Sequence, residues 1–387
     1  MPSDKMPTGE TETIINRILK RAEFAQLFDW LATKVELTDL ISLLLVLYEK
    51  IAGRLGVNDV FRQYFENRFV QPCDLSQRDL VALDNLIYSI IPDGFESIEL
   101  SPVNPLGVNS ILARVSQKNV LSTVRNVEVS ADITTALALE CARRRANLLR
   151  ADPKNEEEVS LCSSQRSIRL QQFDRIPGFT AHFRVFGACT AGRDVGHESF
   201  EARNLTKHID LYLDLLRILN KEGYYLEDIA VSISDIRIAE TVIRQTGADR
   251  RIIGLNTQIN SFNLFDYCRI NLPARVYDLS DIPQTEIAKY QLQKSFDYLG
   301  QIQGKAVKTL RLRYPNFCFL FDISRIAGIG YYESLCFKIT AKNKAGQRFP
   351  IVDGGLVDWT KKLLQSRKER LFISGFGSEL FCRNFRS

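Results

Sequence analysis

The chain has 387 residues, 45% hydrophobic and 25% charged, with a formal net charge of +5 spread over interspersed positive and negative residues, so it has ample core and nothing demands a nucleic-acid partner. Eight cysteines are scattered without a CxxC pair, which argues against a disulfide framework or a zinc site and for small core fillers in a reducing compartment. The N-terminus is polar, unlike a targeting peptide, and the longest apolar run, Leu40–Tyr48, is too short to cross a bilayer; a soluble cytoplasmic protein without membrane contact is expected.

Residues 1–75 predict an N-terminal helical extension. Ile14, Ile15, Ile18, Leu19, Phe24, Leu27, Phe28 and Leu31 recur at helical spacing. Thr38 and Asp39 suit the cap of a second helix over Leu40–Ala52, and a third is expected from Val57 to Arg68. No chemistry is evident there. Ser76 and Asp79 are spaced like a capping box that opens a helix through Ile91, which Pro92-Asp93-Gly94 ends. Strands are expected at Phe95–Leu100, Leu112–Val115 and Val120–Val129. Asp132-Ile133-Thr134 then opens a helix over Thr135–Leu149. Arg143, Arg144 and Arg145 point three ways around that helix and read as its solvated end. Residues 151–170 are polar and without period, and predict a flexible insertion.

Ala181–Arg203 (AHFRVFGACTAGRDVGHESFEAR) reads as a strand, a glycine-containing turn and a second strand, with charge where a core hairpin carries none. Arg184 and Arg193 suit a phosphate or carboxylate, and Glu198 and Glu201 an ammonium group. His197 and Glu201 have the spacing of a metal pair, but a lone pair makes no site and no metal is assigned. Beyond it come a helix at Thr206–Leu219, a strand at Ile229–Ser234, a helix at Ile236–Gln245, and helix and loop over 250–310. Strands follow at Phe317–Ile323, Tyr331–Ala341 and Arg348–Val352, the last ending at Asp353-Gly354-Gly355. A basic helix, Trp359–Arg370, precedes a closing strand, glycine turn and helix start in LFISGFGSELFCRNFRS. The pieces make an α+β chain, an antiparallel sheet flanked by helices.

In this order, over residues 76–387, they resemble the catalytic core of class II aminoacyl-tRNA synthetases, within it the histidyl group and its synthetase-like relatives. FESIELSPVNPLG resembles the first class motif, which in the family forms the dimer interface, so a homodimer through the segment around Pro102 is expected. Ala131–Thr134 (ADIT) is similar to the family's Pro-Glu-Gly-Thr loop, and closer to the Pro-Asp-Met-Thr of the ATP phosphoribosyltransferase regulatory subunit. FRVFGACTAGRDVGHESFE resembles the second motif, whose Phe-Arg holds the ATP α-phosphate. IAGIGYYESLCFKI is similar to the histidyl Arg-Gly-Leu-Asp-Tyr-Tyr signature and its Val-Phe-Glu strand, DGGLVDWTKKLL to Gly-Gly-Arg-Tyr-Asp, and SGFGSEL to the third motif.

The departures shape the functional expectation. Phe186 stands for the second motif's glutamate, Ala327 for the signature arginine, Gly330 for its aspartate, Leu356 for the arginine of Gly-Gly-Arg and Leu380 for the third motif's arginine. Buried charge-assisted contacts contribute roughly 1.5–3 kcal/mol each, so conventional adenylation is expected to be badly impaired. No anticodon-binding domain is expected either, which makes tRNA an unlikely partner. The resemblance leaves an amino-acid pocket: Asp132, Glu198 and Glu201 for an α-ammonium, Thr134 for a hydrogen bond, Tyr331 and Tyr332 lining the side-chain site, and Arg184, Arg193 and Glu379 for a carboxylate or nucleotide. The leading expectation is a histidine-like amino-acid sensor such as a regulatory subunit of ATP phosphoribosyltransferase, with a catalytic-subunit partner. The alternatives are an ATP- and Mg2+-dependent ligase that forms an aminoacyl adenylate for a non-standard acceptor, and a scaffold with a dead pocket.

Overall fold

The computed structural model describes residues 26–170, 180–256 and 262–386. Two compact units divide the chain: residues 1–70 with 122–127, and residues 71–121 with 128–387. In the first, helices α1 (Leu27–Thr33), α2 (Leu37–Ala52) and α3 (Val57–Glu66) bury none of their residues. Helix α2 starts three residues before Leu40: Glu36 is its N-cap residue, and the amides of Asp39 and Leu40 already bond to the Glu36 carbonyl. The helical spacing read over Ile14–Phe24 lies outside the described residues.

Among the described residues eleven strands follow in chain order: β1 (Glu96–Ser97), β2 (Val103–Pro105), β3 (Val127–Val129), β4 (Val159–Ile168), β5 (His182–Arg193), β6 (Glu227–Asp235), β7 (Arg275–Val276), β8 (Cys318–Asp322), β9 (Leu335–Lys342), β10 (Arg348–Val357) and β11 (Glu369–Phe376). Nine build one sheet in the order β1-β4-β5-β11-β10-β9-β6-β8-β7, with β2 and β3 in a separate ribbon. All neighbours in the large sheet are antiparallel except β1–β4 and β6–β8. The principal helices are α4 (Gln77–Ser89), α5 (Ile133–Ala151), α6 (Ser199–Leu219), α7 (Ile236–Thr246), α8 (Gln293–Ile302) and α9 (Ser378–Phe385). Ser76 caps α4 through its hydroxyl, and Asp132 caps α5 through its carboxylate, where the sequence put both starts.

Side chains alternate across a strand, so β5 has two distinct faces. Phe186 and Ala188 pack with Leu83 and Ile87 of α4, much of α6, and Phe381 and Phe385 of α9. Val185, Cys189 and Ala191 pack with Ile133, Leu137 and Ala138 of α5 on the other side. Helix α5 lies close because β5 carries Gly187 there: a Cβ on Gly187 would stand 2.5 Å from Ile133 Cγ2, inside any real contact.

Several expectations are corrected here. Residues 151–170 are no flexible insertion, since Val159–Ile168 is the long strand β4, paired along its length with β5. Its serines are small enough to be buried and bonded: Ser160 to Thr190, Ser164 to Asp84. The hairpin is therefore β4–β5. Residues 182–193 form one uninterrupted strand, and Ser199 begins a helix rather than a second strand. Val108–Ile111 is a helical turn, Leu112–Val115 forms no strand, and Val127–Val129 is the strand part of 120–129. Strand β10 continues through Asp353-Gly354-Gly355 to Val357. The basic helix stops at Leu363, because β11 begins at Glu369. Tyr331 and Tyr332 precede β9 in a turn.

Arg145 is also no solvated helix end. It is fully buried, and all five of its N–H groups are used: Nε and Nη2 donate to Glu369 at 2.9 Å each, Nη1 to Asn155 Oδ1 and the Glu157 carbonyl, and Nη2 to the Asn155 carbonyl. Arg143 and Arg144 instead pair with Glu140, and Arg144 also reaches Glu96.

Candidate functional site

The α5-covered face holds a connected polar group. Asp132 Oδ1 accepts from the Thr134 amide at 3.0 Å and its hydroxyl at 2.7 Å, while Oδ2 accepts from Tyr331 at 2.9 Å. The Tyr331 hydroxyl also lies 3.2 Å from Thr134 Oγ1. Arg169 approaches Asp132 Oδ2 at 3.5 Å, donates to the Ala131 carbonyl, and stacks over Phe183. Tyr331 and Tyr332 meet edge to face at 5.0 Å, and Trp359 packs on Tyr331. Gly328, at φ +96°, makes this possible: besides tolerating the left-handed backbone, it has no Cβ to strike the Tyr332 ring 2.5 Å away.

Tyr332 extends the group by donating to Asp353 Oδ1 at 2.7 Å. Arg325 Nη2 grips the same carboxylate at 2.8 and 2.9 Å, and its Nε donates to the Ala327 carbonyl. Burial, reinforced by the charge of Asp132 beside one phenol and Asp353 beside the other, pushes both tyrosine pKa values up. Both therefore stay protonated and act as donors. On β4, Gln165 and Ser167 are in register with Val185 and Phe183, so they share this face. Gln165 Oε1 and Ser167 Oγ are buried without a hydrogen-bond partner among the described residues. Such orphaned groups are uncommon in native interiors and mark places where another molecule can bond.

The structure thus brings together Asp132, Thr134, Tyr331 and Tyr332. It does not bring the others to them. Arg184 has the parity of Phe186 and lies on the α4 face, where it pairs with Asp84 at 2.6 Å and donates to Ser164. Glu379 lies there too, buried, accepting from Arg166 at 2.9 Å, the Arg184 amide at 3.1 Å and Arg383 at 3.3 Å. Arg383 also pairs with Asp74 at 2.5 Å, so three arginines meet three carboxylates and the charges balance. Arg193 is nine residues along β5 from Arg184, about 30 Å at strand rise, so the two cannot hold one small ligand. It bonds to the Pro153 carbonyl. Glu198 is the N-cap residue of α6, 4.0 Å from Lys305. Glu201, on the first turn of α6, pairs with Arg370 at 3.5 Å, on the face away from α5. Glu201 Oε2 is buried with no hydrogen-bond partner among the described residues, and burial pushes its pKa up.

Sequence reasoning missed Arg325, Asp353, Arg169, Gln165 and Arg166. The signal for Arg325 was a single cation inside the apolar stretch Phe317–Ile329, passed over because the motif reserved its arginine for position 327. Among the described residues, no group of three or more His, Cys, Asp or Glu is placed to hold a metal, and no helix is long and apolar enough to cross a membrane.

Solved structures share this architecture, three of them as follows. One is an ATP phosphoribosyltransferase regulatory subunit/histidyl-tRNA synthetase from Bacillus halodurans: TM-score 0.57, 15% identity, 82% of each chain covered. The fold is that of the histidyl class II synthetase group. A histidyl-tRNA synthetase from a Nostoc species aligns at TM-score 0.58 and 15% identity, over 83% of this chain and 76% of that one. A histidine–tRNA ligase subunit from Alicyclobacillus acidocaldarius aligns at 0.55 and 14%, over 81% and 96%. By sequence, the chain matches no family model and no curated protein. Within this synthetase-like fold, the Asp132 group lies on the sheet face opposite Arg184 and Glu379.

Proposed function

We propose that the chain is a ligand-binding relative of histidyl-tRNA synthetases that takes a small, histidine-like amino acid on the α5-covered face and acts as a sensor. The observation that carries this reading is the pairing of a donor-saturated carboxylate, Asp132, with buried, unpartnered acceptor and hydroxyl atoms on Gln165 and Ser167 of the same face. Asp132 supplies the negative potential for an ammonium group, and Gln165 Oε1 the open lone pairs to bond it. Tyr331 and Tyr332 form the aromatic wall of the side-chain site. Against adenylation, Arg184 is neutralised by Asp84, and Glu379 by Arg166 and Arg383. The regulatory-subunit reading of the Bacillus halodurans protein supports a catalytic protein partner, with this chain as its amino-acid-responsive subunit.

The test pairs calorimetric titration with ATP–pyrophosphate exchange, run with each of the twenty amino acids. Binding of one amino acid without exchange is expected. Amino-acid-dependent exchange would overturn the sensor reading in favour of an adenylate-forming ligase, and neither binding nor exchange would leave a scaffold.

A further inference from the structure

The far end of the same face carries cations whose bonding capacity is not used up. Arg325 is buried, with its side chain only 4% exposed. Its Nε and Nη2 are bonded, but Nη1 is buried with no partner among the described residues. Lys338, on β9, stands in register with Asp353 on β10 and Ser232 on β6. Its ammonium makes no hydrogen bond or ion pair among the described residues. Burial, and then the neighbouring charge of Arg325, push the Lys338 pKa down. Asp353 accepts from Arg325 and Tyr332, its side chain is 41% exposed, and it forms no ion pair with Lys338 among the described residues. Asp322, which also acts on Lys338, is engaged by Arg275 and Ser324. Arg325, Lys338 and Asp353 sum to a formal charge of +1, with Arg325 Nη1 left over as a buried donor.

From this geometry we infer a monoanion subsite: Arg325 Nη1 and Lys338 Nζ together hold a carboxylate or phosphate oxygen pair beside Tyr332. The site deepens the ligand-binding reading above, on which it rests for its occupant, by naming the anionic end of the ligand. A free phosphate satisfies the same donors, and the two sources are told apart by competition. A partly buried Lys338 without an ion pair among the described residues also opposes folding of the empty protein. A residue that weakens the apo fold yet strengthens binding is the signature of a ligand contact.

The experiment uses the full chain, with sodium phosphate and then the bound amino acid as probes at constant ionic strength, read by calorimetry and thermal unfolding. Lys338→Gln is expected to unfold at the wild-type temperature or above it, and to bind the anion tenfold to a hundredfold more weakly, the range of one charge-assisted contact. Arg325→Gln is expected to weaken binding at least as much; because it also frees Asp353, Lys338→Gln keeps the test independent of folding. Phosphate that competes with the amino acid assigns the subsite to the ligand's carboxylate. Phosphate that binds with Lys338 dependence while no amino acid binds keeps the anion site and removes the amino-acid reading. An amino acid that binds Lys338→Gln with wild-type affinity overturns the subsite and leaves that reading intact, whereas wild-type protein that binds neither phosphate nor any amino acid overturns both.

Discussion

Asp132 separates cap from site, because its two oxygens do different work. Oδ1 takes the Thr134 amide and hydroxyl and so begins α5; Oδ2 faces Tyr331 and Arg169. Asp132→Ala removes both. Loss of an N-cap costs about 1 kcal/mol. The Tyr331 hydroxyl retains Thr134 Oγ1, and Arg169 loses only a 3.5 Å, partly exposed pair, so these add about another 1 kcal/mol. Urea denaturation should therefore show the alanine variant roughly 2 kcal/mol less stable but folded. Asp132→Asn keeps an oxygen for the cap, and its loss should stay near 1 kcal/mol or below. Both variants lack the charge that would hold an ammonium, worth roughly 1.5–3 kcal/mol, so both should bind the amino acid tenfold to a hundredfold more weakly. If calorimetry gives Asp132→Asn the wild-type affinity, the carboxylate is a helix cap and nothing more, and the ligand site lies elsewhere.

Glu369→Ala should cost roughly 3–5 kcal/mol in denaturant unfolding by stranding buried Arg145, while replacing both by methionine should recover most of it; equal losses would refute the pairing argument. His208 is buried between Ser374 and Thr190 with its pKa pushed well below the usual value by burial. The unfolded chain therefore takes up a proton that the folded one refuses, so stability should fall as pH drops through about 6.5, by up to about 1.4 kcal/mol per unit, and His208→Gln should flatten that slope in urea titrations between pH 7.5 and 5.5. Glu201 has the opposite sense for a carboxyl: its raised pKa gives stability that is present below the unfolded value near 4.3 and lost as pH rises through the folded one. Glu201→Gln should accordingly raise the melting temperature at pH 8 more than at pH 4.5, with Arg370 still held by Asp194; no difference between the two pH values would count against it. Light scattering at micromolar concentration should give a dimeric mass, and a monomeric one would remove the expected interface around Pro102.

The strands and helix starts that depend on local chemistry were legible. Ser76 and Asp132 cap where a short polar side chain precedes an apolar helix, and the closing strand, Gly377 turn and helix follow their glycine and apolar pattern. Strand β4 was not, because its buried serines are satisfied by Thr190, Asp84 and Lys207, partners 30 to 80 positions away that no local window contains. The candidate site failed in the same way and for a sharper reason. A motif fixes which residues stand on a strand, but the side each one faces depends on what covers the sheet. Val185 meets α5 and Arg184 meets α4, so one step along β5 moves a cation from the Asp132 group to an ion pair with Asp84. Conversely, Arg325 looked like a stray charge because Asp353 and Lys338 come to it only when β9 and β10 pair. On the α5-covered face, the guanidinium with a buried nitrogen unbonded among the described residues is that of Arg325. Arg184 is spent on Asp84, Ala327 offers only its carbonyl, and the guanidinium that accepts that help is the one with a free Nη1. On the proposed reading, a net +1 centre balances the single charge of a carboxylate and leaves two or three charges of a triphosphate uncompensated.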